Sequence, residues 1–320
     1  VFPMFLFAMG MSVPYAIENR FAKGCSGEST LSHILSRTLA LLLMGVFIVN
    51  SEGGFSSVAG YGVNFYRIMM VMAFFLIWNS YPKEFRAKRW LQATGLAILA
   101  FLALTFRTPE GGFFTAGWWG ILGLIGWAYC FCAVTYLLCR RKPFRIAFVW
   151  LALCVANLLL TQMRDGSYLI EGPSFIADMA DALRLGNASS AIMAAGGMLF
   201  SLAESRLSSR RCTVRIGCAL AAAVISALYV SSLSICLYLI LRILESYGKT
   251  GWFRPVKASG TATLTVYMMP YVLYSILAVF GVYTIDWLTG ALGLLKCVLF
   301  SLLCTALAAL AGRSGIKLKI

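Results

Sequence analysis

The chain has 320 residues, 60% hydrophobic and only 12% charged, with a mean hydropathy of +0.83. Soluble globular chains are about half apolar and about a quarter charged. A water-soluble domain is therefore excluded, and the class is an all-α, polytopic transmembrane helical bundle. The net charge of +15 does not point to nucleic acid. Its basic residues sit in short loops beside apolar runs, where they orient a membrane protein. Membrane lipids, and no nucleic acid, are the expected surroundings.

The first run is residues 1–17, VFPMFLFAMGMSVPYAI, which meets charge only at Glu18 and Arg20. It lacks the positive lead and the small-residue cleavage site of a secretory signal. At about 1.5 Å per residue it falls just short of the roughly 30 Å hydrocarbon layer. With no initiator Met, the sequence reads as one that begins inside a longer protein. Further apolar runs follow at 34–50, 64–79, 90–106, 118–139, 146–162, 187–203, 214–244, 261–282 and 287–312.

The loops between these runs alternate in charge. Lys and Arg number 2 in residues 18–33 and 4 each in 80–89, 140–145 and 204–215. Residues 51–63 carry none, 107–117 one and 163–186 two. The positive-inside rule places the first set in the cytoplasm and Val1 outside. Residues 245–257 and the tail 313–320 carry three basic residues each and belong to the cytoplasmic set. That parity requires two passes within Val214–Leu244, although only 26 residues separate Arg215 from Arg242, against roughly 40 for two full spans. A compressed pair turning near Ser231–Ser234 gives about 11 spans, or 10 if Val214–Leu244 is one helix. The expectation is a single transmembrane domain over 1–320 in the cell (inner) membrane, with a cytoplasmic C-terminus. The long outer loop 163–186 holds Asp165, Glu171, Asp178 and Asp181 and reads as a structured loop or as a rim over an outer site.

Ten cysteines lie mostly within apolar runs without a C-x-x-C pair, and there is one histidine, His33. No metal is expected. Arg37 and Arg67 stand near span ends, where charge is costly enough to suggest function. Arg37 either meets phosphates of a cytoplasmic ligand or snorkels to the interface, and Arg67 reads as snorkelling. Lys296 is deep if its helix begins near Trp287 and interfacial if it begins near Gly293. Asn50, Asn79, Asn157 and Gln162 are amides that bond neighbouring helices by default, with Asn50 and Asn79 placed where a cavity would open to water. Gly120, Gly123 and Gly126 recur every three residues, a smooth strip for close helix packing. Gly260-Thr-Ala-Thr-Leu-Thr-Val-Tyr267 opens a span with hydroxyls that either receive an anion or bond back to their own helix. Asn187-Ala-Ser189 fits a glycosylation sequon.

VFPMFLFAMGMSVPYAI, His33-x-x-x-Arg37 and Gly45…Asn50 together resemble the core of the heparan-α-glucosaminide N-acetyltransferase family. AFFLIWNSYP (73–82), WWGILGLIGWAY (118–129), LGNASSAIMAAGG (185–197) and SGTATLTVYMMPY (259–271) are similar to an uncharacterised bacterial branch of it. The resemblance covers nearly the whole chain. It implies transfer of acetyl from cytoplasmic acetyl-CoA, a co-substrate, to an amino-sugar acceptor on the outer side, with a homodimer as a possible assembly. The family's catalytic His and an Asn lie just before an Asp-Leu-Val-Phe-Pro segment whose Val corresponds to Val1. The catalytic His is thus expected upstream, with the family's first helix, and the chain by itself is expected to be catalytically incomplete. A Ser-Lys…Thr-Pro-x-Trp loop common in the family has no counterpart in Val214–Leu244. The candidates for the CoA side are Arg37, Ser259, Thr261, Thr263 and Thr265, and those for the acceptor side are Asn50, Arg67 and Asn187. The alternatives are a transporter or flippase for a sugar or lipid-linked substrate, and a membrane scaffold without chemistry.

Overall fold

A computed structural model of the protein describes residues 2–82, 84–118, 120–140, 142–164, 189–207, 251, 257–282 and 289–318. Asn187, Val214–Leu244 and the loop from Asp165 onward lie outside the described residues, as do the side chains of Asn157 and Gln162. Ten helices are described. They are α1 (Phe2–Ala22), α2 (Gly27–Glu52), α3 (Val63–Trp78), α4 (Lys88–Thr105), α5 (Ile121–Cys139), α6 (Pro143–Arg164), α7 (Ser189–Leu207), α8 (Lys257–Thr261), α9 (Thr263–Val279) and α10 (Gly290–Arg313). Two short strands, β1 (Ser56–Ser57) and β2 (Phe106–Arg107), pair antiparallel.

Three of the helices, α2, α5 and α10, are long and apolar enough to cross a membrane; α3, α9 and the apolar parts of α6 and α7 are shorter. Large apolar side chains such as Leu39, Phe148, Leu294 and Val279 stand on exposed faces. In water that much outward apolar surface marks an interaction face, whereas lipid tails are as apolar as leucine. The chain is a predominantly helical membrane protein.

Local chemistry moves several element ends away from the hydropathy runs. The α1 helix continues past Glu18 and Arg20 to Ala22, because the Glu18 carboxylate accepts a hydrogen bond from the Tyr136 hydroxyl at 3.1 Å and so has a partner. It then turns at Gly24, whose φ of +81° suits a residue without Cβ. The α2 helix starts seven residues before the apolar run because Ser26 caps it, its hydroxyl accepting the Ser29 N–H at 3.1 Å. The expected span 261–282 is interrupted at Ala262 (φ −132°, ψ 41°), which separates α8 from α9.

The contacts divide the chain into two compact units, Val1–Val46 with Gly117–Ile243 and Phe47–Ala116 with Leu244–Ile320. In the first, α1 packs on α5 and α7, and α7 on α5 and α6. Glycines set the approach. A Cβ on Gly10 would run into the Ala194 carbonyl, and one on Gly197 into the Phe7 carbonyl, so α1 and α7 touch backbone to backbone. A Cβ on Gly45 would lie 2.7 Å from the Gly123 nitrogen, and one on Gly126 would lie 3.2 Å from Leu41 Cβ. Gly123 and Gly126 therefore serve packing, as their spacing suggests.

In the second unit α3 packs on α4 and α9, and α9 on α10. The paired strands carry an aromatic cluster in which Phe55 lies 5.0 Å from Tyr66 and 5.6 Å from Phe106, and Phe47 lies 4.9 Å from Phe114. Beyond α10, Ser80 N–H donates to the Lys317 carbonyl (3.1 Å), Lys317 N–H to Asn79 Oδ1 (2.8 Å) and Leu318 N–H to Thr265 Oγ1 (3.2 Å). The tail thus satisfies its backbone on the end of α3 and the start of α9.

Candidate functional site

Among the described residues, a cluster with charged side chains stands out in each unit. In the first it is built on α1, α2 and α5. Ser29, His33 and Arg37 are spaced four residues apart on α2 and share one face. Arg20, in the last turn of α1, donates to the Ser29 carbonyl at 3.4 Å and so lies at the head of that face. Arg37 sets its guanidinium 4.8 Å from the centre of the buried Tyr129 ring, a cation–π contact. The charges of both arginines act on His33 and on Tyr129.

The Nε atoms of Arg20 and of Arg37 are buried without a hydrogen-bond partner. Among the described residues, neither guanidinium has a carboxylate within ion-pair distance. The nearby Glu18 is engaged instead with Arg140, at 3.6 Å, and with Tyr136. Arg140 in turn lies 3.8 Å from the Phe21 ring centre. Buried donors on fixed cations cost free energy unless something accepts from them. The cluster has the chemistry of an anion site.

The second cluster lies where α2 ends. Asn50 donates to the Thr115 carbonyl at 2.8 Å and accepts the Thr115 N–H at 3.2 Å, so its amide pins a loop. Arg67 donates from Nη2 to the Ser51 carbonyl at 2.8 Å, and its Nε is buried without a partner. Arg67, on α3, thus reaches the residue next to Asn50 on α2, and both were expected on the acceptor side. Next to them, Tyr271 donates to Glu52 Oε1 at 2.8 Å, and its ring lies 5.9 Å from that of Tyr267.

A family model described as a domain of unknown function, DUF5009, matches residues 1–167. The chain belongs to that family. No curated protein and no solved structure matches the chain. The DUF5009 match covers the whole Arg20–Arg37–Tyr129 cluster and also Asn50, Glu52 and Arg67, while Tyr271 lies beyond it.

Outside the DUF5009 segment, the hydroxyls expected on the CoA side are spent locally. Thr261 donates to the Lys257 carbonyl at 3.2 Å and Thr263 to that of Ser259 at 2.8 Å, the back-bonding that competes with ligand contact. Ser259 pairs with Thr305 at 2.9 Å, and Thr265 is fully buried and accepts from Leu318. The structure brings these four together around the α8–α9 break; Arg37 belongs to the other unit. Lys296 is the seventh residue of α10, about 9 Å along it. Asn79, expected beside water, uses its oxygen on the tail. Sequence reasoning did not single out Arg20, Tyr129, Glu52 or Tyr271. For Arg20 a signal exists in the i, i+4 series Ser29–His33–Arg37, which a basic residue closing the preceding turn completes. Glu52 and Tyr271 are 219 residues apart, and no local pattern joins them.

Proposed function

We propose that this chain is the membrane body of an acetyltransferase that takes acetyl from cytoplasmic acetyl-CoA and delivers it to an amino-sugar acceptor across the membrane. The reading includes about 11 spans, with Val1 outside and the α1–α2 turn in the cytoplasm. The observation that supports it best is the pair of buried, unpartnered Nε atoms on Arg20 and Arg37. Two guanidiniums with no carboxylate within ion-pair distance among the described residues, one set against a phenol ring, suit the phosphates of a nucleotide-linked thioester, which offer several oxygens to forked donors. The resemblance of 1–17, 33–50, 73–82 and 118–129 to the heparan-α-glucosaminide N-acetyltransferase family supports the same reaction.

In this reaction the acceptor amine attacks the thioester carbonyl. A C–N bond forms, the C–S bond breaks, the amine proton passes to a base and CoA leaves as the thiol. The part assigned to Arg20 and Arg37 is to hold the phosphates so that the acetyl end is positioned. The test is binding of radiolabelled acetyl-CoA to the full-length protein in lipid nanodiscs. Arg37→Ala should weaken binding at least about tenfold, since a charge-assisted hydrogen bond contributes about 1.5–3 kcal/mol. Arg37→Lys should recover only part of it, because an ammonium lacks the fork. Unchanged binding in Arg37→Ala overturns the assignment.

A further inference from the structure

We infer that the loop after α3 and the docked C-terminal tail together form a binding site for an anionic phospholipid carrying two phosphates. The site lies in the second unit and does not depend on the transferase reading. It begins where α10 ends in a turn that sends the chain back. Gly315 stands at φ +78°, its N–H bonds the Gly312 carbonyl at 3.3 Å, and the Ile316 N–H reaches the Ala311 carbonyl at 2.8 Å. That pair of bonds is a Schellman motif, which fixes the direction of the exit. The tail then docks through its backbone, Lys317 on Asn79 and Ser80, and Leu318, which is buried, on Thr265. Because main-chain groups make these bonds, the Lys317 ammonium is left for another partner.

The loop is fixed to the same end of α3. Tyr81 donates to the Leu76 carbonyl at 2.8 Å, and its ring stacks on that of Phe85 with centres 5.7 Å apart. Gln92 of α4 donates to the Ile77 carbonyl at 2.9 Å, so the first turn of α4 lies beside the last turn of α3. Arg86, Lys88 and Arg89 are exposed on this segment, and Arg313 is exposed where α10 ends. Asn79 and Lys317 are 238 residues apart, yet their bond gathers these cations at one end of α3. Residues 80–90 and 313–318 hold a single acid, Glu84. Among the described residues, Arg86, Lys88, Arg89, Arg313 and Lys317 are in no ion pair. Like charges held together repel one another, and a multivalent anion relieves that cost.

The side chains between the charges say which anion it is. Trp90 is 79% exposed, Ile316 45% and Phe85 42%. Basic and large apolar side chains interleaved at helix ends fit the boundary where headgroups give way to acyl chains. A soluble phosphate would leave the Trp90 and Ile316 surfaces in water, whereas a lipid covers them with its chains. Two groups of cations, one on the loop and one at the tail, match two phosphates in one headgroup. A lipid that bridges them holds the tail to the loop, so lipid binding and tail docking strengthen each other.

The experiment is native mass spectrometry of the full-length protein in neutral detergent, offered equal amounts of cardiolipin, phosphatidylglycerol and phosphatidylcholine. Wild type should retain one cardiolipin at least tenfold over phosphatidylcholine, with phosphatidylglycerol between them. Arg86→Gln/Arg89→Gln and Arg313→Gln/Lys317→Gln should each cut that preference about tenfold, since each basic residue near a lipid surface contributes roughly fivefold. These side chains lie outside the core, so both variants should keep the wild-type thermal midpoint. Lys142→Gln/Arg145→Gln removes the same charge at the α5–α6 turn of the other unit and should leave the preference unchanged. In nanodiscs, cardiolipin should also slow hydrogen exchange at the Ser80 N–H, which bonds the Lys317 carbonyl, and phosphatidylcholine should not. Equal retention of the three lipids by wild type overturns the site. So does an equal loss of preference in Lys142→Gln/Arg145→Gln, which would make net charge the cause, or a Ser80 exchange rate that cardiolipin does not move.

Discussion

The two units close their helices by opposite means. In the first, α1 and α7 meet through Gly10 and Gly197 with no side chain between the backbones. In the second, side-chain amides and hydroxyls bind backbone at both ends of α3. Asn50 holds Thr115 near one end, and Asn79 with Thr265 holds the C-terminal tail at the other. Backbone contact gives a tight fit that depends on there being no Cβ. Amide pins instead hold irregular segments whose N–H and C=O groups have no helix to satisfy them. The first arrangement tolerates no added atoms, and the second tolerates change at the cost of a hydrogen bond or two.

The sharpest way to break this comparison is Gly197→Leu. A Cβ there meets the Phe7 carbonyl, which is backbone and cannot swing aside. Overpacking costs about 1–3 kcal/mol in cores that can adjust, and here α1 must move as a whole, so the upper end of that range or beyond is expected. The readout is loss of the monodisperse peak in detergent together with a lowered thermal midpoint. Gly126→Ala is the control: its nearest neighbour is the Leu41 side chain at 3.2 Å, which can give, and it should fold. If Gly197→Leu keeps wild-type stability, the backbone contact between α1 and α7 is wrong.

Next in size is Asn50→Ala. It takes the amide partner from the Thr115 N–H and carbonyl, and because Thr115 is exposed water replaces it, so the loss is that of an ordinary hydrogen bond, about 0.5–1.5 kcal/mol. Hydrogen exchange at Thr115 should quicken severalfold while that of α5 amides stays as in wild type. Asn50→Asp sharpens the point, since it keeps the acceptor for the Thr115 N–H but loses the donor to its carbonyl. It should fall between wild type and Asn50→Ala. An unchanged Thr115 exchange rate in Asn50→Ala would mean that the amide does not hold the loop.

How far the sequence reaches follows from the same contrast. Hydropathy located the helices, because a membrane's depth of apolar residues is a local property. The glycine strip in α5 was legible for the same reason, as a three-residue repeat within one helix. Helix ends were not, since they depend on single groups such as Ser26 capping α2 or Tyr136 partnering Glu18 across 118 residues. Of the candidate residues, Arg37 and Arg67 stood out because a charge beside a span is rare. The hydroxyls from Ser259 to Thr265 carry the same letters whether they face a ligand or their own helix. Only the break at Ala262 and the docked tail decide that they are used internally.

The smallest expected effect tests where protein ends and lipid begins. Hydropathy treats α5 and α10 alike, yet 56% of the α5 window is buried against 17% for α10. Leu295 and Leu299 stay more than half exposed on α10. In a bilayer an outward leucine exchanges protein contact for contact with equally apolar tails, so trimming it changes little. Leu299→Ala should therefore shift stability by less than about 0.5 kcal/mol, the range of surface substitutions away from special features. Met44→Ala, at a fully buried position of α2, should cost about 2–5 kcal/mol through transfer and cavity terms. If Leu299→Ala costs as much as a core truncation, α10 is covered by protein in the membrane. Cross-linking of a cysteine placed at position 299 would then show whether the cover is a second copy of the chain.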